Sequence, residues 1–308
     1  MTADPQPHDP AEPEPIRAVP LRRPGRWISA FLILVLVGLF LYGAATNPAY
    51  RWDVYRQYLR DSRIAAGAVV TLELTVLAMV IAVALGTLLA VMRLSPNPVF
   101  RVTAWVYLWI FRGTPVFVQL VFWGLVPSLY RHIALGIPFG PHFFELDVQS
   151  LRAAFAFAVI GLGLNEAAYM AEIVRAGINS VGEGQREASI ALGMSWSQTM
   201  RRTVLPQAMR VIIPPTGNEL ISMLKTTALV TAIPLSTDLF GRARDIYGVN
   251  FLPIPLLLVT ATWYLAITSV LMVGQYYLER YYSRGVSRQL TAKQLQELAD
   301  AQGGARSK

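Results

Sequence analysis

Polar side chains interrupt apolar stretches of this sequence at spacings that place them on common helix faces. Within and just beyond the stretch 151–174, residues three, four and seven apart form one polar stripe: Asn165, Tyr169, Glu172, Arg175 and Asn179. Glu166 lies beside this stripe. Charged groups in an apolar environment are costly unless they face a cavity or one another. The pattern therefore indicates either binding of a polar solute or an internal network of paired charges.

Two other apolar stretches carry polar groups at helical spacing. Together the stretches supply the candidate substrate-binding residues, which are Glu166, Asn165, Tyr169, Arg112, Gln119, Asn218, Ser222 and Lys225. We predict that they line a translocation path. A zwitterion presents a carboxylate, which Arg112 or Lys225 could hold, and an ammonium, which Glu166 or Glu172 could hold. Glu166, near the middle of its stretch, is the first choice for an ammonium or guanidinium group.

Each of these groups also has a structural interpretation. Glu172 and Arg175 are three residues apart and are predicted to form a structural ion pair. Arg112 precedes Gly-Thr-Pro and could bond carbonyls freed at a helix break. Lys225 could extend to lipid headgroups. Glu166 could make a structural hydrogen bond instead of contacting substrate.

Several kinds of chemistry are excluded or disfavoured. The chain has no cysteine and only three histidines, so we expect no thiolate or histidine-rich metal site, and no cofactor is predicted. No Walker A motif is present, so ATP phosphates are not held by that device. Glu166 and Glu172 are six residues apart on different helix faces, without a nucleophile nearby, which disfavours a membrane enzyme.

Composition places the chain in a membrane. Hydrophobic residues make up 54% of the 308 residues, charged residues make up 15%, and mean hydropathy is +0.42. Soluble domains carry about 25% charged residues. The net charge of +8 arises from basic residues that flank apolar blocks, which favours lipid headgroups over nucleic acid as the partner.

Six transmembrane helices are predicted, in an all-α polytopic protein. The spans are 28–46, 65–92, 102–126, 151–174, 205–233 and 254–277. The segments that alternate with them carry more Lys and Arg on the side of the termini, which predicts cytoplasmic termini. We expect Pro214 and Pro215 to break or kink the fifth span. The tail 1–26 is predicted to be disordered, and 284–308 to form a short amphipathic helix and a tail.

A loop between the fourth and fifth spans reads as helix, glycine stop, second helix and proline. Gly193 suits the left-handed residue that ends a helix. Ser195 is a good N-cap for the next helix, and Pro206 suits the first turn of the following span.

In this loop Glu187-Ala188, Gly193 and Leu205-Pro206 resemble the "EAA" loop of ABC importer permeases. The resemblance extends over 64–280 and is to the polar amino acid branch, which includes histidine, glutamate, glutamine, arginine and opine permeases. It implies that the loop forms a cytoplasmic coupling helix for an ATPase. The predicted coupling residues are Gly184, Arg186, Glu187, Ala188, Leu192 and Gly193.

The resemblance also implies the organisation of the chain and its partners. A five-helix permease domain (64–280) would follow one additional transmembrane helix with its outside loop (27–63) and precede a cytoplasmic tail (281–308). The partners would be two ATPase subunits, an external solute-binding protein, a second permease chain, identical or not, and the bilayer of the bacterial inner membrane. A permease for another small solute and a secondary transporter remain the alternatives.

Overall fold

The computed structural model describes residues 24–130, 132–137, 140–148 and 150–282. Nearly all of them are helical. The sequence-based predictions for the tail before residue 24 and for the segment 284–308 lie outside the described residues. The chain divides into two compact units, of which the first ends at Tyr50 and the second begins at Arg51.

The first unit contains the apolar helix α1 and a short 3-10 turn, and the second contains all other elements. The helices are α1 (Pro24–Thr46), α2 (Trp52–Leu59), α3 (Ser62–Leu94), α4 (Pro98–Gly113), α5 (Val116–Leu129), α6 (Leu151–Asn179), α7 (Glu183–Ala191), α8 (Trp196–Thr199), α9 (Leu205–Thr226), α10 (Leu239–Asn250) and α11 (Pro253–Tyr282). A π-helical turn, Met200–Val204, joins α8 to α9, and a 3-10 segment, Thr227–Ala232, follows α9.

Four of the described helices, α1, α3, α6 and α11, are long enough and apolar enough to cross a membrane. The pair α4 and α5 qualifies as a fifth span when taken together, although the two helices are bent by 100°. The predicted third span is therefore two helices rather than one. The predicted fifth span corresponds to α9 and the 3-10 segment, but α9, which carries Glu219 and Lys225, is not among the described helices that qualify as spans. It runs through Pro214 and Pro215 without ending there.

A small antiparallel hairpin lies between α5 and α6. Its strands are β1 (His132–Gly136) and β2 (His142–Asp147), with an irregularity in register next to Gly136. The sequence analysis did not anticipate these strands, because the segment is short and lacks the sustained alternation of polar and apolar residues that indicates a hairpin.

The long helices α3 and α6 pack closely because small residues meet at their interface. A Cβ atom built on Gly86 of α3 would lie 2.6 Å from Cβ of Met170 and 2.9 Å from the Ala167 carbonyl oxygen of α6. On the other helix, a Cβ on Gly163 would lie 2.9 Å from the Ile81 side chain. Small residues allow this approach between membrane helices. The contact fixes the helix that carries Asn165, Glu166 and Tyr169.

Candidate functional site

Amide side chains close the break between α4 and α5. Thr114 and Pro115 are extended, so the last carbonyls of α4 lack helical partners. Gln119 donates from Nε2 to the Phe111 carbonyl oxygen at 3.1 Å and to Thr114 Oγ1 at 2.7 Å. Asn165 of α6 donates to the same Phe111 oxygen at 3.2 Å and to Gln119 Oε1 at 3.1 Å. Gln119 and Asn165 are thus brought together, and they satisfy the carbonyls for which the sequence had suggested Arg112.

Arg112 instead lies against an aromatic ring. Its guanidinium carbon is 5.5 Å from the centroid of the Tyr169 ring, within the range of a cation–π interaction. Arg112 is exposed and Tyr169 is 39% exposed, so both also present polar atoms to the surface of α4 and α6. This geometry joins two predicted site residues that are 57 positions apart in sequence.

Glu166 is the most deeply placed acidic group of the predicted site. It is 8% exposed, and its Oε1 is buried without a hydrogen-bond partner. The charged group that interacts with it is the carboxyl group of Glu219 on α9. Glu166 is buried and Glu219 is half-buried, and neither forms an ion pair within the described part of the chain. Such an arrangement is costly unless a proton or a cationic ligand neutralises one of the two carboxyl groups.

The polar stripe on α9 is exposed in the isolated chain. Asn218, Ser222 and Lys225 all lie on the surface, four and three residues apart. Asn218 is also within 3.5 Å of Glu279 Oε1 on α11, an oxygen that accepts a hydrogen bond of 2.9 Å from Gln275. The stripe is therefore not buried against the helices of its own chain.

Glu172 and Arg175 form an ion pair within α6. Arg175 Nε donates to Glu172 Oε2 at 3.0 Å, and the side chains of Arg175 and Glu172 are 35% and 24% exposed, respectively. The pair leaves Glu172 less available than Glu166 for a cationic ligand. Among the residues that the structure describes, no group of three or more His, Asp or Glu side chains could hold a metal ion.

The predicted coupling loop folds as α7, a turn and α8. Gly193 adopts φ of +75°, and the Met194 and Gly193 amides donate to the carbonyls of Ser189 and Ile190, which is a Schellman ending. Ser195 and Gln198 then form a capping box at the start of α8. These local structures agree with the expectations from sequence.

Side-chain hydrogen bonds fasten α7 to the segment that leads into α9. The Ser189 and Thr203 hydroxyls are 2.8 Å apart, and Gln207 donates to Gln185 Oε1 at 3.3 Å.

Most of the predicted coupling residues are exposed: Gly184, Glu187, Ala188, Leu192 and Gly193. Leu192 is 77% exposed. The loop therefore presents an accessible surface on a fixed base. Arg186 is only half-buried and bonds the Ile178 carbonyl oxygen of α6 at 2.8 Å.

Two acidic residues of this region were not among the predicted site residues. Glu219 faces Glu166, and Glu279 accepts hydrogen bonds from Gln275 and Asn218. Glu219 is one residue from Asn218, so the helical stripe on α9 placed it on the neighbouring face. Glu219 is an ionisable residue within the predicted span 205–233, and this was the signal that could have identified it. Glu279 follows the predicted end of the last span at residue 277, so the same signal was not available for it.

Comparison with known proteins gives a consistent set of relatives. Residues 82–284 match the family model described as binding-protein-dependent transport system inner membrane component. An arginine transport system permease protein of Corynebacterium glutamicum, ArgU, is 63% identical over 95% of this chain and 91% of its own length. The Escherichia coli K12 histidine/lysine/arginine/ornithine permease HisM is 37% identical over 67% of this chain and 83% of its own length.

Solved structures with the same fold include transporters. A crystal structure of an amino acid ABC transporter with histidines aligns with a TM-score of 0.60 at 34% identity, covering 71% of this chain and 94% of that chain. An inward-facing structure of the MetNI methionine ABC transporter aligns with a TM-score of 0.52 at 19% identity, covering 74% of this chain and 98% of that chain. The second likeness supports the fold alone.

Proposed function

The chain belongs to the family of binding-protein-dependent transport system inner membrane components, and we propose that its substrate is arginine or a closely similar cationic amino acid. It is the permease subunit of an ABC importer for polar amino acids. The proposal of a cationic substrate is supported by the 63% identity to a permease whose name specifies arginine. It also has a physical basis in the acidic groups of α6 and α9.

The observation that carries the proposal is the buried Glu166 carboxyl group. It is 8% exposed, its Oε1 has no hydrogen-bond partner, and its interacting neighbour is another carboxyl group, that of Glu219. A guanidinium group carries one positive charge and donates in a planar fork that matches a carboxylate. Such a group would supply both the missing charge and the missing donor.

The remaining predicted site residues would position the rest of the substrate. Arg112, held over the Tyr169 ring, or Lys225 on α9 would pair with the substrate α-carboxylate. Gln119 and Asn165 bond each other and the break between α4 and α5, so their role would be to hold Glu166 and Arg112 in place rather than to contact substrate. Asn218 and Ser222 would line the path along α9.

A second permease chain would cover the polar stripe of α9. Polar and charged side chains are costly against lipid, yet Asn218, Ser222 and Lys225 are exposed on the isolated chain. Packing of a second chain, identical or not, against this face would place the stripe in a shared path. The substrate site would then lie beside the interface between the two chains.

The energy for transport would come from a separate ATPase. Its docking surface would be the exposed side of α7 and the turn that follows, where Glu187 and Leu192, respectively, are accessible. An external solute-binding protein would deliver the substrate at the opposite side of the membrane, and both termini would be cytoplasmic. The larger number of Lys and Arg residues in the segments on the side of the termini supports this orientation.

Transport by a Glu166→Gln variant tests the proposed site. The assay measures arginine uptake into vesicles that contain the permease with its ATPase and solute-binding partner. Loss of one hydrogen bond to a charged group corresponds to about 1.5–3 kcal/mol, so uptake at limiting substrate should fall by about tenfold or more. Lysine and ornithine should compete with arginine, and an uncharged amino acid should not.

Glu73→Gln provides a matched control, because Glu73 is an exposed carboxyl group on α3 with no ion pair among the described residues. Both variants are first required to assemble with the ATPase and to retain basal ATP hydrolysis. Equal arginine uptake by the wild type and Glu166→Gln, with unchanged stimulation of ATP hydrolysis by substrate, would remove Glu166 from the binding site.

A further inference from the structure

A cavity lies far along α6 from Glu166, at the end of the helix next to the predicted coupling loop. Its volume is about 760 Å³. The lining is largely apolar, and twelve residues from the end of α3 and the two residues after it, from the end of α6, from α7 and α8 and from the π-helical turn contribute to it. They include Val91, Leu94, Ile178, Arg186, Ile190 and Trp196. Glu166 and Glu219 are not among the lining residues, so the cavity is separate from the proposed substrate site.

This cavity lies at the ends of two helices that could span a membrane, and therefore at the level of a membrane surface. Val91 and Leu94 belong to the last turn of α3, and Ile178 belongs to the last turn of α6. The helices α3 and α6 are both long enough and apolar enough to cross a membrane. Their common end therefore lies where acyl chains meet headgroups. Trp196 is 77% exposed at the cavity, and tryptophan is enriched at this depth.

One charged side chain lines this apolar space. Arg186 donates from Nη2 to the Ile178 carbonyl oxygen at 2.8 Å, while its Nε is buried and has no hydrogen-bond partner. No ion pair involving Arg186 occurs within the described part of the chain, although Glu183 and Glu187 lie on the same helix. The buried Nε is closed to a ligand, but the guanidinium group keeps its positive charge at the cavity wall and carries further N–H groups on Nη1 and Nη2, which suit a phosphate oxygen.

We propose that this cavity binds an anionic phospholipid of the surrounding leaflet, with an acyl chain among the apolar residues and the headgroup phosphate at Arg186. The apolar space complements an acyl chain and the one basic group complements a negatively charged headgroup, and an anionic phospholipid has both of these parts. The site goes beyond the proposed function, since it does not depend on which solute is transported. A lipid bound here would contact α7 through Arg186 and Ile190 and so would stabilise the coupling loop against the membrane helices.

The ATPase is the competing occupant, and the geometry favours the lipid. Glu187 and Leu192 are exposed on the coupling loop but do not line the cavity, so they remain available to a docking protein. The cavity walls contributed by Val91, Leu94 and Ile178 are the ends of membrane helices, which face hydrocarbon in a bilayer.

Site-specific photocrosslinking identifies the occupant directly. The chain has no cysteine, so Ile190→Cys creates a single thiol in the cavity wall, which a maleimide photocrosslinker can label. The labelled full chain, assembled with its ATPase, is irradiated in bilayers of phosphatidylcholine with and without phosphatidylglycerol. Mass spectrometry of the products should show a phosphatidylglycerol adduct in preference to a phosphatidylcholine adduct.

Variants at Arg186 test the headgroup contact. In the Ile190→Cys background, Arg186→Gln should lower the yield of the phosphatidylglycerol adduct by about tenfold, as loss of one charge-assisted hydrogen bond predicts. Arg186→Lys should retain most of it. Arg152→Gln, at the opposite end of α6, should leave the yield unchanged.

Three results would overturn the proposal. They are crosslinking to an ATPase or permease peptide in place of lipid, equal adducts of both lipids, and a yield that does not respond to Arg186→Gln. Each variant is compared only after it elutes with its ATPase as an assembled complex, so that a folding defect is recognised separately. Arginine uptake is not part of the measurement, and failure of the proposed substrate would therefore leave this result intact.

Discussion

Replacement of Gly86 by alanine should separate α3 from α6. The new Cβ would lie 2.6 Å from Met170 Cβ, 2.9 Å from the Ala167 carbonyl oxygen and 3.0 Å from the Ala171 amide nitrogen. Carbon atoms in good contact are about 3.5–4.0 Å apart, so α6 would have to move by about 1 Å. Two of the three contacts are backbone atoms, which a rotamer change does not relieve. Overpacking of this kind costs about 1–3 kcal/mol.

The clash can be measured against a matched control. Gly274→Ala in α11 also replaces a helical glycine, but no heavy atom lies within 4 Å of its new Cβ. Alanine is favoured over glycine inside a helix by about 1 kcal/mol, and this contribution is common to both variants. The apparent melting temperature of the purified chain in detergent should therefore be lower for Gly86→Ala than for Gly274→Ala by several degrees.

The same displacement should reach the proposed substrate site. Glu166 precedes Ala167, so movement of α6 changes the distance from Glu166 to Glu219. Gly86→Ala should lower arginine uptake, and Gly274→Ala should leave it at the wild-type level. Equal melting temperatures and equal uptake for the two variants would show that the interface is looser than the close contacts at Gly86 imply, and the reasoning would be refuted.

Two further predictions concern backbone conformation and pH. Gly193→Ala should destabilise the predicted coupling loop by about 1 kcal/mol, because the backbone at Gly193 has a φ of +75°. Gly184→Ala should not destabilise the loop. Equal melting temperatures and equal substrate-stimulated ATP hydrolysis for these two variants would contradict the prediction. Asp238 precedes α10, outside the predicted spans, and caps it; burial raises the pKa of this carboxyl group to about 6. Because the folded state binds the proton more tightly, stability should fall as pH rises from about 4 to about 6 and then level off. Asp238→Asn keeps a good cap and should abolish that part of the pH dependence of melting; an unchanged profile would assign it to other groups.

The long helices were predictable because a membrane span leaves a strong sequence pattern. The spans predicted at 65–92 and 254–277 lie within α3 and α11 and are only a few residues shorter at each end. The 100° bend between α4 and α5 was not predictable from hydropathy, since the apolar character continues across it. The segment Gly113-Thr114-Pro115 marks where a break is possible, but the angle depends on the amide groups that bond the freed carbonyls.

The sequence predicted which residues of the candidate site share a helix better than it predicted which residues they contact. Helical spacing correctly placed Asn165, Tyr169 and Glu172 along one helix. It could not reveal that Asn165 bonds Gln119, or that Arg112 lies over the Tyr169 ring, because those contacts depend on how α4, α5 and α6 cross. The pairing of Glu166 with Glu219 is likewise a property of the packed helices and not of either segment alone.

The hydrogen bonds between α7 and the start of α9 have a mechanical consequence. With Ser189 tied to Thr203 and Gln185 tied to Gln207, a displacement of the loop is carried into α9 as a rigid rod. The 22 residues of α9 form a rod about 33 Å long. A tilt of about 10° at its base would swing the far end, where Lys225 lies, by about 6 Å over that helical rise. A small displacement of α7 would in this way become a movement of several ångströms at the opposite end of α9.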